Sequence, residues 1–177
     1  MKIKTLVAAM LVLGVVAPVW AGKTRTRARS QPGFDFADYP TYAWAKGTPA
    51  VYPGVEAIIA TAVESELAKR GLTKAEGADA ALLVSTYTFA QGEMDVVGRS
   101  FWGAYWGVMT VNISEFKKGV LYIKIVQRGS EEPIWQGLAG KAVNGKPEKV
   151  IAKLPAIVAS VFETRPELIQ PPGDTAD

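Results

Sequence analysis

Ser114, Glu115, Phe116 and Lys117 reproduce the S-x-x-K spacing in which a lysine amine takes the proton of a serine nucleophile. That chemistry uses a serine on a helix with companion S-D-N and K-T-G motifs, whereas here the four residues end a predicted strand and no companion occurs. A polar strand face running into a basic turn accounts for them better. Glu131 and Glu132 are adjacent acids, the residue type of glycoside hydrolysis, but glycosidase carboxylates face each other across a cleft and these are neighbours in a turn. A solvated hairpin tip fits them. The 177 residues include no histidine and no cysteine, which removes the commonest general base, the commonest metal ligand, thiolate nucleophiles and disulfides. Oxygen-only metal binding lacks a D-x-D-x-D-G loop, and neither G-x-x-x-x-G-K nor G-x-G-x-x-G is present to cradle a nucleotide. Asn112-Ile113-Ser114 is a formal glycosylation sequon inside the same predicted strand and carries no weight. The expectation is a protein with no catalytic residue, no metal and no cofactor. A serine/lysine or carboxylate hydrolase is the second reading.

The residues better suited to recognition stand between Gln91 and Val108. Phe101, Trp102, Tyr105 and Trp106 fall within six residues, separated by Gly103 and Ala104 and preceded by Gly98 and Arg99. Glycine frees the backbone, and tryptophan with tyrosine offers large contact area at low entropy cost. Such rings either await a ligand or partner or fold back as a hairpin that caps an open sheet face. Both outcomes stay open, and the first makes Arg99, Phe101, Trp102, Tyr105 and Trp106 the candidate ligand- or partner-binding residues.

The elements that must position this segment follow from periodicity. Residues 34–44 contain Tyr42 and Trp44 alternating with small residues, as in a half-buried strand, and Pro40 places the strand proper after it or at an edge. Val55, Ile58, Ile59, Ala62, Val63 and Leu67 recur every three or four residues, predicting an amphipathic helix over 54–70 that Gly71 stops. Residues 80–91 begin as a continuous apolar run and then alternate, as a central strand leaving the core does. Alternation over 108–116, 120–128 and 134–141 predicts three more strands joined by short turns, hence antiparallel neighbours. A last helix begins at Pro147 with Val150, Ile151, Leu154, Ile157, Val158, Val161 and Phe162 on one stripe, and Pro155 should kink or split it. The fold class expected is therefore α+β: a two-layer sandwich of a mainly antiparallel sheet of about five strands with two amphipathic helices on one face.

Residues 1–21 read as a secretory leader: Lys2 and Lys4, an apolar run, then Val19 and Ala21 at the small positions before a cut after Ala21. Residues 5–20 are too short to span a bilayer, although an uncleaved anchor is the runner-up. The domains expected are a signal peptide at 1–21, a basic flexible linker at 22–33, one α+β domain at 34–165 and a disordered tail at 166–177. In the linker, Lys23, Arg25, Arg27 and Arg29 lack apolar periodicity and read as a solvated tether with possible peripheral contact to an anionic membrane surface. The formal net charge of +3 is concentrated in the leader and this stretch, so no nucleic-acid face is indicated.

The blocks Asp35-Phe36-Ala37-Asp38-Tyr39-Pro40-Thr41-Tyr42-Ala43-Trp44, Glu66-Leu67-Ala68-Lys69-Arg70-Gly71-Leu72 and Ala78-Asp79-Ala80-Ala81-Leu82-Leu83-Val84-Ser85, with Pro133-Ile134-Trp135-Gln136-Gly137 later, resemble the bacterial lipoprotein-like domain-of-unknown-function family 4136. The resemblance runs over about residues 34–162. It implies an α+β domain of the bacterial envelope, often lipid-tethered, and transfers no catalytic residue. This chain has no cysteine to acylate, which removes the lipid anchor and leaves a periplasmic or secreted product. The functional expectation is a non-catalytic envelope module that binds a protein, glycan or apolar ligand through the aromatic segment.

Overall fold

A computed structural model describes residues 24–48, 50, 54–76, 79–89, 119–140 and 147–169. In chain order its elements are β1 (Arg25–Ser30), a 3-10 turn (Phe36–Asp38), β2 (Thr41–Trp44), α1 (Val55–Lys69), β3 (Thr73–Lys74), β4 (Leu82–Phe89), β5 (Val120–Gln127), β6 (Pro133–Gly140), α2 (Pro147–Ile151), α3 (Leu154–Glu163) and β7 (Glu167–Leu168). The α+β class holds. The sheet is larger and more mixed than expected, with seven strands among the described residues in the order β3-β2-β4-β5-β6-β1-β7.

The central pairs β4/β5, β5/β6 and β6/β1 are antiparallel, while β2 pairs parallel with β3 and β4, and β1 pairs parallel with β7. The parallel pairs arise where a helix separates the strands. Residues 45–81, with α1 among them, carry the chain from the end of β2 back to the start of β4, so both strands run the same way. The described residues hold three helices where two were expected because the last one divides: α2 ends at Ile151, and α3 restarts with Pro155 in its first turn, where a missing N–H is harmless.

Two further expectations are corrected. The basic stretch is no linker: residues 25–30 pair with β6 along six residues, and Ala28 and Ser30 are buried. The strand read within residues 34–44 is Thr41–Trp44, beginning after Pro40 as expected of that proline. Before it, Asp35 Oδ1 accepts from Ala37 N at 2.9 Å and caps the 3-10 turn. That turn lays Phe36 against Trp135 and Phe162, at centroid separations of 5.7 and 6.1 Å. Burying rings against other rings outweighs continuing a strand past a proline. Finally, the tail reading gives way at Glu167–Leu168, which pairs with Arg29 and Ser30 and is followed by Ile169 N donating to Ser30 O at 2.8 Å. The leader at 1–21, the strand expected at 108–116 and residues 170–177 lie outside the described residues.

One core joins α1 and α3 to the sheet. Ile59, Val63 and Leu67 of α1 and Val158 and Val161 of α3 meet Leu82, Val84, Ile123, Ile125 and Trp135. Trp135 stacks on Phe162 at 4.7 Å and 16°. Arg70, just past α1, ties the layers: its guanidinium donates to Glu66 O and Oε2 at 2.8 and 2.9 Å and to Phe162 O at 2.9 Å, and lies 4.9 Å over the Phe162 ring. It thereby supplies a donor to a carbonyl at the end of α3 that the helix itself leaves unpaired. Glu66 is 4% exposed. Burial pushes its carboxyl upward, but hydrogen bonds from Lys69 and Arg70 and their charges outweigh burial and hold it below the usual range. Gly137 on β6 is where α3 comes closest, since a Cβ there would collide with Val161 Cγ1 and the Trp135 ring.

Two outcomes follow. Gly137→Ala forces α3 away from β6 and should cost about 1–3 kcal/mol, read as a lowered Tm; an unchanged Tm refutes the close docking. Because the folded-state value of Glu66 lies below its ordinary 4.5, its contribution is complete at neutral pH and is lost as pH falls through that folded value. Glu66→Gln should therefore be less stable than the parent at pH 7, with the difference shrinking in urea titrations toward pH 3.

Candidate functional site

Arg25, Arg27 and Arg29 are two residues apart, and the period of a strand sends all three to one side. The residues between them settle which side. Ala28 lies in the core, and Thr26 Oγ1 is 2.8 Å from Thr164 Oγ1 just beyond α3. The arginines therefore face away from the helices.

Register then assembles that second face. Gln136 stands beside Arg29 and Leu138 beside Arg27, while Lys124 stands beside Gln136, Ser85 beside Lys124, and Glu167 beside Arg29 on its outer flank. One row across five strands thus reads Ser85, Lys124, Gln136, Arg29, Glu167. The neighbouring row reads Tyr87, Tyr122, Leu138, Arg27, with Tyr87 and Tyr122 stacked at 5.6 Å and 27°. Burial raises the Tyr122 hydroxyl above the usual range, the Tyr87 hydroxyl adding to it. Burial also lowers Lys124 below the usual lysine range, with the Glu131 charge acting the other way.

Gln136 is 4% exposed, and among the described residues its Oε1 has no hydrogen-bond partner; neither has Arg29 Nε, in a side chain 20% exposed. Glu167 Oε2 approaches Arg29 Nε to 3.7 Å, too far for a hydrogen bond, and its side chain is largely in water. Arg25 and Arg27 are exposed. The described residues of this face thus include three guanidinia, the Lys124 amine, the Gln136 amide and, on its outer flank, the Glu167 carboxylate, and a guanidinium fork matches carboxylate or phosphate.

Arg99, Phe101, Trp102, Tyr105 and Trp106, along with Ser114 and Lys117, lie outside the described residues. Glu131 and Glu132 are exposed in the turn between β5 and β6, where Glu132 N donates to Ser130 Oγ at 3.1 Å, as expected of a hairpin tip. Among the described residues no group of three or more acidic side chains is placed to hold a metal ion, and no helix is long and apolar enough to cross a membrane. Sequence reasoning missed Arg27, Arg29, Gln136 and Lys124 as members of one face. The signal was present in the alternation Arg-Thr-Arg-Ala-Arg, a period of two carried by charge instead of apolarity.

The fold and the order of its blocks agree with a sequence profile described as "Domain of unknown function (DUF4136)", which matches residues 24–166. The chain belongs to that family. The profile begins one residue before β1, so DUF4136 includes the arginine strand. A DUF4136 family protein from Bacteroides thetaiotaomicron shares the fold at TM-score 0.58 and 13% identity, over 79% of this chain and 94% of that one. PelC of Paraburkholderia phytofirmans, solved as a dodecamer, gives TM-score 0.43 at 12% identity over 81% of this chain and 99% of that one. A PDZ domain protein from Parabacteroides distasonis gives TM-score 0.48 at 17% identity over 81% of this chain and 38% of that one. No curated protein matches the chain.

A buried amide oxygen without a donor costs stability that a hydrocarbon of similar size does not. Gln136→Leu should raise stability by about 1 kcal/mol, seen as a higher Tm; a fall in Tm would mean that the amide is satisfied in solution by the protein itself.

Proposed function

We propose that this DUF4136 domain is a non-catalytic binding module of the bacterial cell envelope, exported by the leader at 1–21, and that the arginine face of β1 takes an anionic polymer. The observation that carries this reading is the placement of Arg25, Arg27 and Arg29 on one side of a paired strand, next to a buried amide with an unmet acceptor. A tether of the same composition would have no such geometry. Evenly spaced guanidinia, roughly 6.5–7 Å apart along a strand, suit a chain of regularly repeated negative groups.

Arg25 and Arg27 are the exposed members of the row and the ones an anionic chain would meet first, while Arg29 is mostly covered and Gln136 almost wholly so. Binding of this kind releases counterions and weakens with salt.

The test is co-sedimentation and titration calorimetry of the purified protein with polygalacturonate, neutral dextran and vesicles of phosphatidylcholine with phosphatidylglycerol. Polygalacturonate should bind at low salt and dextran should not. The double substitution Arg27→Ala with Arg29→Ala should weaken binding at least tenfold while Tm stays close to the parent value. Binding to the vesicles but not to the polymer would overturn the polymer reading, and binding that ignores both substitutions would overturn the face.

A further inference from the structure

The sheet is dry on both sides. Its period of two sends Ala43, Val120, Tyr122, Val126 and Leu138 away from α1 and α3, and none of them belongs to the core that those helices build. They are buried all the same: Tyr122 is 1% exposed and Leu138 3%. Ser85 and Gln136, in the intervening row, are buried with them. Side chains stand roughly upright on a sheet, so adjacent strands shield the flanks of a ring and leave its outer end uncovered. Burial this complete needs a second layer, and among the described residues no helix or strand stands on that side.

The chain itself points to the occupant. Phe89 and Val120 are register partners, so β4 ends and β5 begins at one place, next to the Tyr87 and Tyr122 pair. Antiparallel neighbours are commonly joined by about two to five residues, whereas this connection runs from 90 to 119. Its middle, residues 100–114, has no charged side chain and holds four aromatic ones with Met109, Val111 and Ile113. Residues 141–146 and 170–177 are short and contain no aromatic side chain. The leader at 1–21 is apolar but adjoins β1, where this face is wet, since Arg25 and Arg27 are exposed. We propose that residues 90–118 pack over the far face of the sheet as its second layer, with the uncharged stretch 100–114 against Tyr87, Tyr122 and Leu138. The layer stops short of β1, so the rings at 101–106 serve cohesion and the exposed arginines keep their access to solvent. This inference stands apart from the anionic-polymer reading and does not depend on it.

The test is photo-crosslinking of the full chain with p-benzoylphenylalanine in place of Tyr87, a half-buried position on that face. Peptide mapping should place the crosslink within residues 90–118, and the chain that starts at Gly22 should give the same product. Hydroxyl-radical footprinting then reads the face directly. Tyr122 and Leu138 should be protected in the parent and lose most of that protection in Trp102→Ser with Trp106→Ser, while Ile123 and Ile125 stay protected and report an intact helix-side core. Crosslinks that fall in residues 1–21, or that vanish when those residues are removed, would overturn the assignment. So would protection of Tyr122 that the double substitution leaves untouched. Should Ile123 lose protection as well, the double variant has unfolded, and the crosslink map of the otherwise unaltered chain alone upholds or overturns the proposal.

Discussion

The pairing of β1 with β6 is the constraint on which the rest of the molecule depends. It holds Ala28 beneath α3 and in the same stroke turns Arg25, Arg27 and Arg29 to the opposite side. A slip of one residue would exchange those sets, driving guanidinia into the apolar layer where no described acid meets them. Unpaired charge there costs several kcal/mol, far beyond the loss of one strand residue's pairing. The demand of α3 for a small apolar neighbour thus fixes the position of the cationic face, although none of its arginines touches that helix.

The two faces of the sheet divide the work of the domain. Toward the helices every strong group is satisfied in the interactions described above: Glu66 has Lys69 and Arg70, the end of α3 has the Arg70 guanidinium, and the rings of Phe36, Trp135 and Phe162 lie against one another. At the β2 edge, Trp44 Nε1 and Lys74 Nζ both donate to Glu64, at 2.8 and 2.7 Å; the lysine bond first and the indole bond next hold that carboxyl below its usual range. On the far face, by contrast, a buried acceptor and a buried donor have no partner among the described residues.

Local periodicity made α1, β4, β5 and β6 legible, because each buries a face whose repeat appears directly in the residue types. Pro155 divided the last helix as its chemistry requires, and the block order carried the family. The rest was hidden for identifiable reasons. β1 has only Ala28 to mark its apolar side, so a search for greasy alternation passes over a strand whose repeat is written in arginine. Phe34 and Phe36 have the spacing of a strand, but Phe36 obeys the pull of Trp135 and Phe162, partners about a hundred residues distant in sequence, and Phe34 packs on Phe36. β7 is two residues long and exists only because Ser30 and Arg29 offer it an edge. The Arg29 and Gln136 pair needs the β1/β6 register to be seen at all, and register between distant strands is not written in either one.

The place of β1 between β6 and β7 governs the order in which the molecule is put together. Both of its neighbours come from the last third of the chain, so the earliest strand of the sheet has no backbone partner until nearly everything after it has been made. The hairpin of β5 and β6 closes a short loop and forms cheaply, whereas seating β1 requires gathering more than a hundred intervening residues, the slow kind of closure. Synthesis that proceeds from the amino end therefore yields a waiting, arginine-studded ribbon first and a completed sheet only at the finish.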